Sequence, residues 1–194
     1  TRVIIDGEDM GDSQAYLEME HGTALFADYA SVNRGDIQVD GIVNMTVPIV
    51  DIKTSGGIDG IARSNYTYYQ QGASTTGPGA KSSSHYEGGG SHAGRGGYES
   101  HNRADHVYGE PFEPLTMGSG GNNAKGGAAL HLVVSDQLIL DGNIEVDGGQ
   151  SYGGGGAGGS VWVETGKLTG ATGKISAIGG QYSSHGAGGG GGRI

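Results

Sequence analysis

Cysteine is absent from all 194 residues, which excludes disulfides, thiolate nucleophiles and zinc–thiolate sites together. Proline occurs only four times and no Gly-X-Y period accompanies the 43 glycines, so the chain is not collagen-like. Positive charge is scarce: 11 Lys and Arg stand against 21 Asp and Glu, for a net charge of −10. A surface of that sign repels phosphates and argues against a nucleic-acid partner, while calcium and other hard cations are compatible with it. No apolar run approaches the roughly 20 residues that cross a bilayer, so no membrane insertion is expected. No secretory signal pattern opens the sequence. The opening Thr1-Arg2-Val3-Ile4-Ile5 reads as a strand already under way, and the 194 residues are expected to be a processed piece or one segment of a longer polypeptide.

What is present is organised in residues 126–194, where one pattern of short apolar strands and glycine runs is written twice and begun a third time. Leu130 and Val161, Ile144 and Ile175, and Gly148 and Gly179 are each 31 residues apart. A fixed period in the range of about 20–50 residues marks stacked units, each too small to bury its own apolar face. Within a unit, Leu130, Leu132 and Val134, then Ile144 and Val146, alternate as half-buried strands do. The expectation is an all-β chain, a parallel β-helix (β-solenoid) with glycines at its corners and a long glycine-rich insertion. A β-sandwich joined by extended glycine-rich connections is the alternative. The length suits one domain, 1–194, divided into N-terminal strands (1–69), a Gly/Ser/His-rich insertion (70–121) and glycine-rich β-repeats (122–194).

The N-terminal part is read as strands, including residues 15–30, where His21-Gly22 breaks any helical run. Ile37-Gln38-Val39-Asp40-Gly41 resembles Ile144-Glu145-Val146-Asp147-Gly148, so the repeat pattern already exists there. Asp6, Glu8, Asp9 and Asp12 form an acidic turn that could ligate calcium, although the spacing is not that of an EF-hand and a solvated turn is the blander reading. Asn44-Met45-Thr46 and Asn65-Tyr66-Thr67 are N-glycosylation acceptor patterns, marking Asn44 and Asn65. Tyr66, Tyr68, Tyr69 and Trp162 are candidate stacking surfaces for glycans. His85, His92, His101 and His106 lie among Glu87, Asp105 and Glu110, a set compatible with a metal site. No paired ligand spacing occurs among them, which favours histidines that stack and hydrogen-bond along a glycine-lined passage.

Gly88-Gly89-Gly90-Ser91-His92-Ala93-Gly94-Arg95-Gly96-Gly97, Tyr108-Gly109-Glu110-Pro111, Leu115-Thr116-Met117-Gly118-Ser119-Gly120-Gly121, Gly158-Gly159-Ser160-Val161-Trp162-Val163 and the closing Gly-Gly-Arg-Ile carry a resemblance. They resemble the glycine-rich segments of very large secreted or cell-surface proteins of protists and some bacteria, over residues 87–194, just over half the chain. That resemblance implies a β-helical, pectin-lyase-like fold with extracellular, adhesive or structural roles, and it carries over no catalytic residue.

Three functions follow for weighing. The first is a structural subunit of an extracellular filament or surface appendage that self-associates head to tail. Joining Arg193-Ile194 of one copy to Thr1, Val3 and Ile5 of the next would write one uninterrupted strand. The second is a polysaccharide lyase, which needs calcium-holding carboxylates beside a basic residue. Arg95 and Arg103 have no matched acidic cluster, so the chain is read as a non-enzyme. The third is a carbohydrate-binding or adhesive module. Ice binding is disfavoured because Thr165, Thr169 and Thr172 do not recur at the repeat period.

Overall fold

A computed structural model describes residues 1–6, 16–64, 77–80, 88–97, 106–182 and 186–194. Twelve strands and no helix occur among them: β1 (Arg2–Asp6), β2 (Tyr16–Met19), β3 (Ala24–Phe26), β4 (Tyr29–Val39), β5 (Ile42–Thr46), β6 (Ile49–Asp59), β7 (Ala129–Val134), β8 (Gln137–Leu140), β9 (Asn143–Glu145), β10 (Ser160–Thr165), β11 (Leu168–Thr169) and β12 (Lys174–Ser176). Every pairing between these strands is parallel. One sheet has eight strands, with β1-β4-β6-β8-β11 as its path and the long strands β4 and β6 also pairing β2 and β9, to which β12 adds. The other has four, in the order β10-β7-β5-β3.

The period-two pattern of the sequence becomes columns of side chains across the strands. Leu17, Ile37, Ile58, Ile144 and Ile175 stand in register, as do Val3, Ala30, Val50, Leu138 and Leu168, and Leu25, Met45, Leu132 and Val163. Their inner members are buried in a single apolar core. The 31-residue spacing is therefore a strand register, since Val161 pairs Leu130 and Ile175 pairs Ile144. β-Branched and leucine side chains at alternate positions suit such a sheet because each fills the pleat against its neighbour above and below.

The expected parallel β-helix is corrected here. The strands make two open parallel sheets, neither closed on itself, and the glycine runs are not corners of a regular coil. The β-sandwich alternative fails as well, because its antiparallel pairing is absent from the named strands. The glycine-rich chain instead builds a bundle of its own around residues 154–159. The backbone N–H groups of Gly154 and Ala157 donate to Asn122 and Ser119, those of Gly155 and Gly158 to Ala187 and Gly190, and those of Gly156 and Gly159 to Gly149 and Val146. Each neighbour is thus addressed at every third residue. Three further segments donate into the same rod, from Gly90 to Gly155 O, Gly180 to Gly156 O and Gly127 to Ala157 O.

A period of three is that of polyproline II, whose backbone has no internal hydrogen bonds and offers all its groups outward. A strand, with its twofold alternation, can serve only two neighbours in its plane. Six neighbours around one rod require close backbone approach. An added Cβ on Gly155 would lie 1.9 Å from Gly180 O, and one on Gly158 would lie 2.1 Å from Ala177 O. Absence of side chains is therefore what lets this half of the molecule pack without an apolar face.

Candidate functional site

Among the described residues, the apolar core is open at both ends of the sheets. Val3, Leu17, Leu25, Ala27, Val163 and Ile175 are the partly buried hydrophobic residues packed against the core. Five of these belong to the outermost strands β1, β2, β3, β10 and β12, and Ala27 directly follows β3. Leu168 on β11 is 57% exposed. Both sheets run in chain order, so β1, β2 and β3 form one edge and β10, β11 and β12 the opposite edge. Each edge also carries backbone N–H and C=O groups directed away from its own sheet, the feature that makes an uncovered edge a template for further pairing.

The two edges match. The columns end in Val163, Leu168 and Ile175 on one side and begin in Leu25, Val3 and Leu17 on the other. A second copy translated along the stacking direction would set Leu25 on Val163, Val3 on Leu168 and Leu17 on Ile175, continuing three columns at once.

Of the residues singled out in the sequence, Val3 and Ile5 lie on β1 with their side chains toward the core. Thr1 precedes that strand, and its ammonium pairs with the exposed Asp28 carboxylate, which holds that carboxyl below its usual range. Arg193 and Ile194 lie at the far edge and against the other sheet, where Arg193 bridges Ser160. The structure does not bring them into line with Thr1; the Val161 N–H already donates to Arg193 O, so the free part of β10 begins after Val161 and the edges offer side-by-side pairing. The Arg193 guanidinium turns inward, donating from Nη2 to the carbonyls of Tyr108 (2.9 Å) and Gly109 (2.8 Å). Leu17, Leu25, Val163, Leu168 and Ile175 were missed as edge residues, although the 31-residue spacing of Ile144 and Ile175 carried the signal.

Asn44 is exposed on β5, in register with Ala24 and His131. Asn65, Tyr66, Tyr68 and Tyr69 lie outside the described residues. Trp162 stacks on His131 with ring centroids 4.1 Å apart, and His131 Nε2 lies 2.8 Å from Glu164 Oε1, so one indole face is already taken. Asp6 accepts a hydrogen bond from Asn33 Nδ2 at 3.1 Å, whereas Glu8, Asp9 and Asp12 lie outside the described residues. Among the described residues no group of three or more His, Asp or Glu is arranged to hold a metal ion. His85, Glu87, His101, Arg103 and Asp105 lie outside the described residues, and His106 and Glu110 are exposed.

His92 is fully buried beside the glycine bundle. Its Nδ1 lies 2.7 Å from Gly158 O and its Nε2 2.7 Å from Thr116 Oγ1. A carbonyl can only accept, so the proton sits on Nδ1 and the Thr116 hydroxyl donates to Nε2. The ring thus acts as one more donor into the rod at residues 154–159. Burial, reinforced by the Arg193 charge, pushes its pKa down to about 4. Tyr108 packs on the ring at 4.9 Å and donates from its hydroxyl to Met117 O at 2.6 Å. With both ring nitrogens occupied and no solvent access, His92 is a structural group and has no room for a substrate.

On the outer face of the eight-stranded sheet, Glu18, Gln38, Asp59, Glu145 and Ser176 share one row, and Asp36 stands two residues before Gln38 on the same face. Burial, then Asp59 and Glu145, raise the Asp36 pKa, with Arg63 opposing them. Because the folded value exceeds the unfolded one, ionised Asp36 weakens the fold at neutral pH, and that penalty vanishes as pH falls below the unfolded value of 3.8. Asp36→Asn is expected to raise Tm at pH 7 and to lose this advantage below pH 3.8. Melting both proteins across that range checks it, and an Asn variant less stable at pH 7 contradicts it.

In comparisons with known proteins, the chain matches no family model, no curated protein and no solved structure.

Proposed function

We infer that the protein is a structural, non-enzymatic subunit that stacks edge to edge, head to tail, into an extracellular filament or surface appendage. The observation that supports it is the match between the two open edges, where three apolar columns end half-exposed on one side and begin half-exposed on the other. A heterologous contact repeated by translation along the stacking direction does not close on itself and so grows a fibre. Extracellular placement rests on the resemblance of residues 87–194 to glycine-rich surface proteins, and the exposed Asn44 acceptor is compatible with it.

Electron microscopy and sedimentation velocity of the 194-residue chain test this reading. The expected result is concentration-dependent fibres with an axial repeat of one copy. Leu168→Lys leaves the subunit folded, because this side chain is exposed before stacking, but places an unpaired charge against Val3 of the next copy. Such a burial costs several kcal/mol, enough to lower assembly by at least about tenfold. Adding Val3→Glu to the same chain supplies the opposite charge and restores part of it. A monomeric parent at high concentration, or a Leu168→Lys variant that assembles like the parent, overturns the proposal.

A further inference from the structure

Charge is distributed along the chain with a polarity that its net value of −10 conceals. Between Arg2 and Arg34 there is no Lys or Arg, and seven carboxylates occur in that stretch. From Gly148 to Ile194 the pattern reverses: Glu164 is the only acidic residue, against Lys167, Lys174 and Arg193. The fold carries this asymmetry to the two open edges. β1, β2 and β3, with the residues directly after β2 and β3, bring Asp6, Glu18, Glu20 and Asp28 to one edge, where Asp28 is paired with the Thr1 ammonium. β10, β11 and β12 bring Lys167 and Lys174 to the other, where Glu164 lies beside His131 and Arg193 turns inward to Tyr108 and Gly109.

One pair of these charges falls into register when the edges meet. Ser176 stands opposite Glu145, and Lys174 Nζ reaches back to Glu145 Oε1 at 2.7 Å, two positions along and one strand across. Setting Leu17 of a second copy on Ile175 places Glu18 of that copy opposite Ser176 on its other side. Glu18 then mirrors Glu145 about Ser176, at the same reach from Lys174. Both side chains are accessible. That of Lys174 is 55% exposed although paired, and Glu18 is exposed with no hydrogen bond or ion pair among the described residues. The reverse orientations lack this match, since two β1–β3 edges would oppose carboxylates to carboxylates and two β10–β12 edges lysines to lysines. Like charges set against each other suppress a wrong pairing as opposite charges favour the right one. Whole copies of the same sign repel, but at 0.1 M salt charges farther apart than about 10 Å are largely screened, so the contact at the joint decides.

We propose that the two edges are charge-matched halves of one polar joint, in which Lys174 bridges Glu145 of its own copy and Glu18 of the next, so that copies add in a single orientation. This joint rests on the head-to-tail stacking of the preceding subsection and assigns its direction. Parent, Glu18→Lys and Lys174→Glu are each sedimented at 0.1 M salt, and the protein left in the supernatant gives the critical concentration for assembly. Each single variant is expected to raise it by about fivefold, the size of an exposed ion pair lost and reversed. The two substitutions move the net charge in opposite directions, so a loss in both cannot come from overall repulsion. An equimolar mixture of the two variants is expected to recover most of the loss, because alternating copies meet opposite charges at every joint. Melts at low concentration check that each subunit is folded. Glu18→Lys assembling as well as the parent, or a mixture no better than its components, overturns the joint while leaving stacking in place. A parent that forms no fibres overturns the stacking and the joint together.

Discussion

Replacing Gly158 by alanine is expected to destabilise the protein by more than about 3 kcal/mol, a fall in Tm on the order of 10 °C, whereas Gly191→Ala changes little. The new Cβ of the first would lie 2.1 Å from Ala177 O and 2.8 Å from Gly192 N. Both are backbone atoms, of two neighbouring segments, so relief requires a rod to move. That rod is tied on its other sides, with Gly192 N–H donating to Ala177 O at 2.7 Å and Gly190 O accepting from Gly158 N–H at 3.0 Å. A shift that accommodates the methyl group therefore breaks hydrogen bonds to more than one neighbour. Around Gly191, by contrast, a Cβ meets nothing within 4 Å. Backbone entropy is the same for both substitutions to first approximation, since alanine restricts the unfolded chain equally at each. Thermal melts of the two variants consequently isolate packing from propensity. Equal Tm values would mean that the glycine segments do not pack as a bundle, and the account of how half this chain folds would fall.

The strands were legible because their information is carried by side chains. Apolar residues at Leu130, Leu132 and Val134, repeated at Val161 and Val163, specify both a strand and its register, and the structure pairs them at that spacing. The opposite holds for residues 154–159, whose threefold pattern of donors is written in backbone groups that every residue possesses. Glycine runs therefore told where side chains were missing but not which segments would close around them, and the coil inferred from them was the wrong architecture. His92 shows the same limit from another direction. Histidines of that polar stretch were read as stacking and hydrogen-bonding along a glycine-lined passage, yet the partner that sets the role of His92, the carbonyl of Gly158, comes from 66 residues away and was not legible. The edge residues stand between these cases: Ile175 was readable as a repeat of Ile144, but its half-exposed state depends on nothing lying beyond it.

Stability is expected to fall between pH 6.5 and about 4 through the single group His92. Burial, with help from the Arg193 charge, lowers its folded pKa from 6.5 to about 4. Below 6.5 the unfolded chain takes up a proton at this residue that the folded chain refuses, so the linkage favours unfolding. The contribution is fully present above pH 6.5 and is lost as pH falls toward the folded value, amounting to roughly 3 kcal/mol at about 1.4 kcal/mol per pH unit. Protonation also changes the local bonding. Nε2 would have to donate where it now accepts from the Thr116 hydroxyl, at 2.7 Å, in a cavity where Arg193 already lies nearby. The carboxylates titrate in the same range and bend the profile too, so the measurement is a difference. His92→Gln keeps a polar side chain but cannot take up the proton. Chemical denaturation of parent and variant at several pH values should give a gap that favours the parent at pH 7 and narrows steadily toward pH 4. A constant gap would show that the ring titrates alike in folded and unfolded chains. In that event the Gly158–His92–Thr116 contact would have to be open to water, and the histidine could not be the extra donor that locks the rod at residues 154–159.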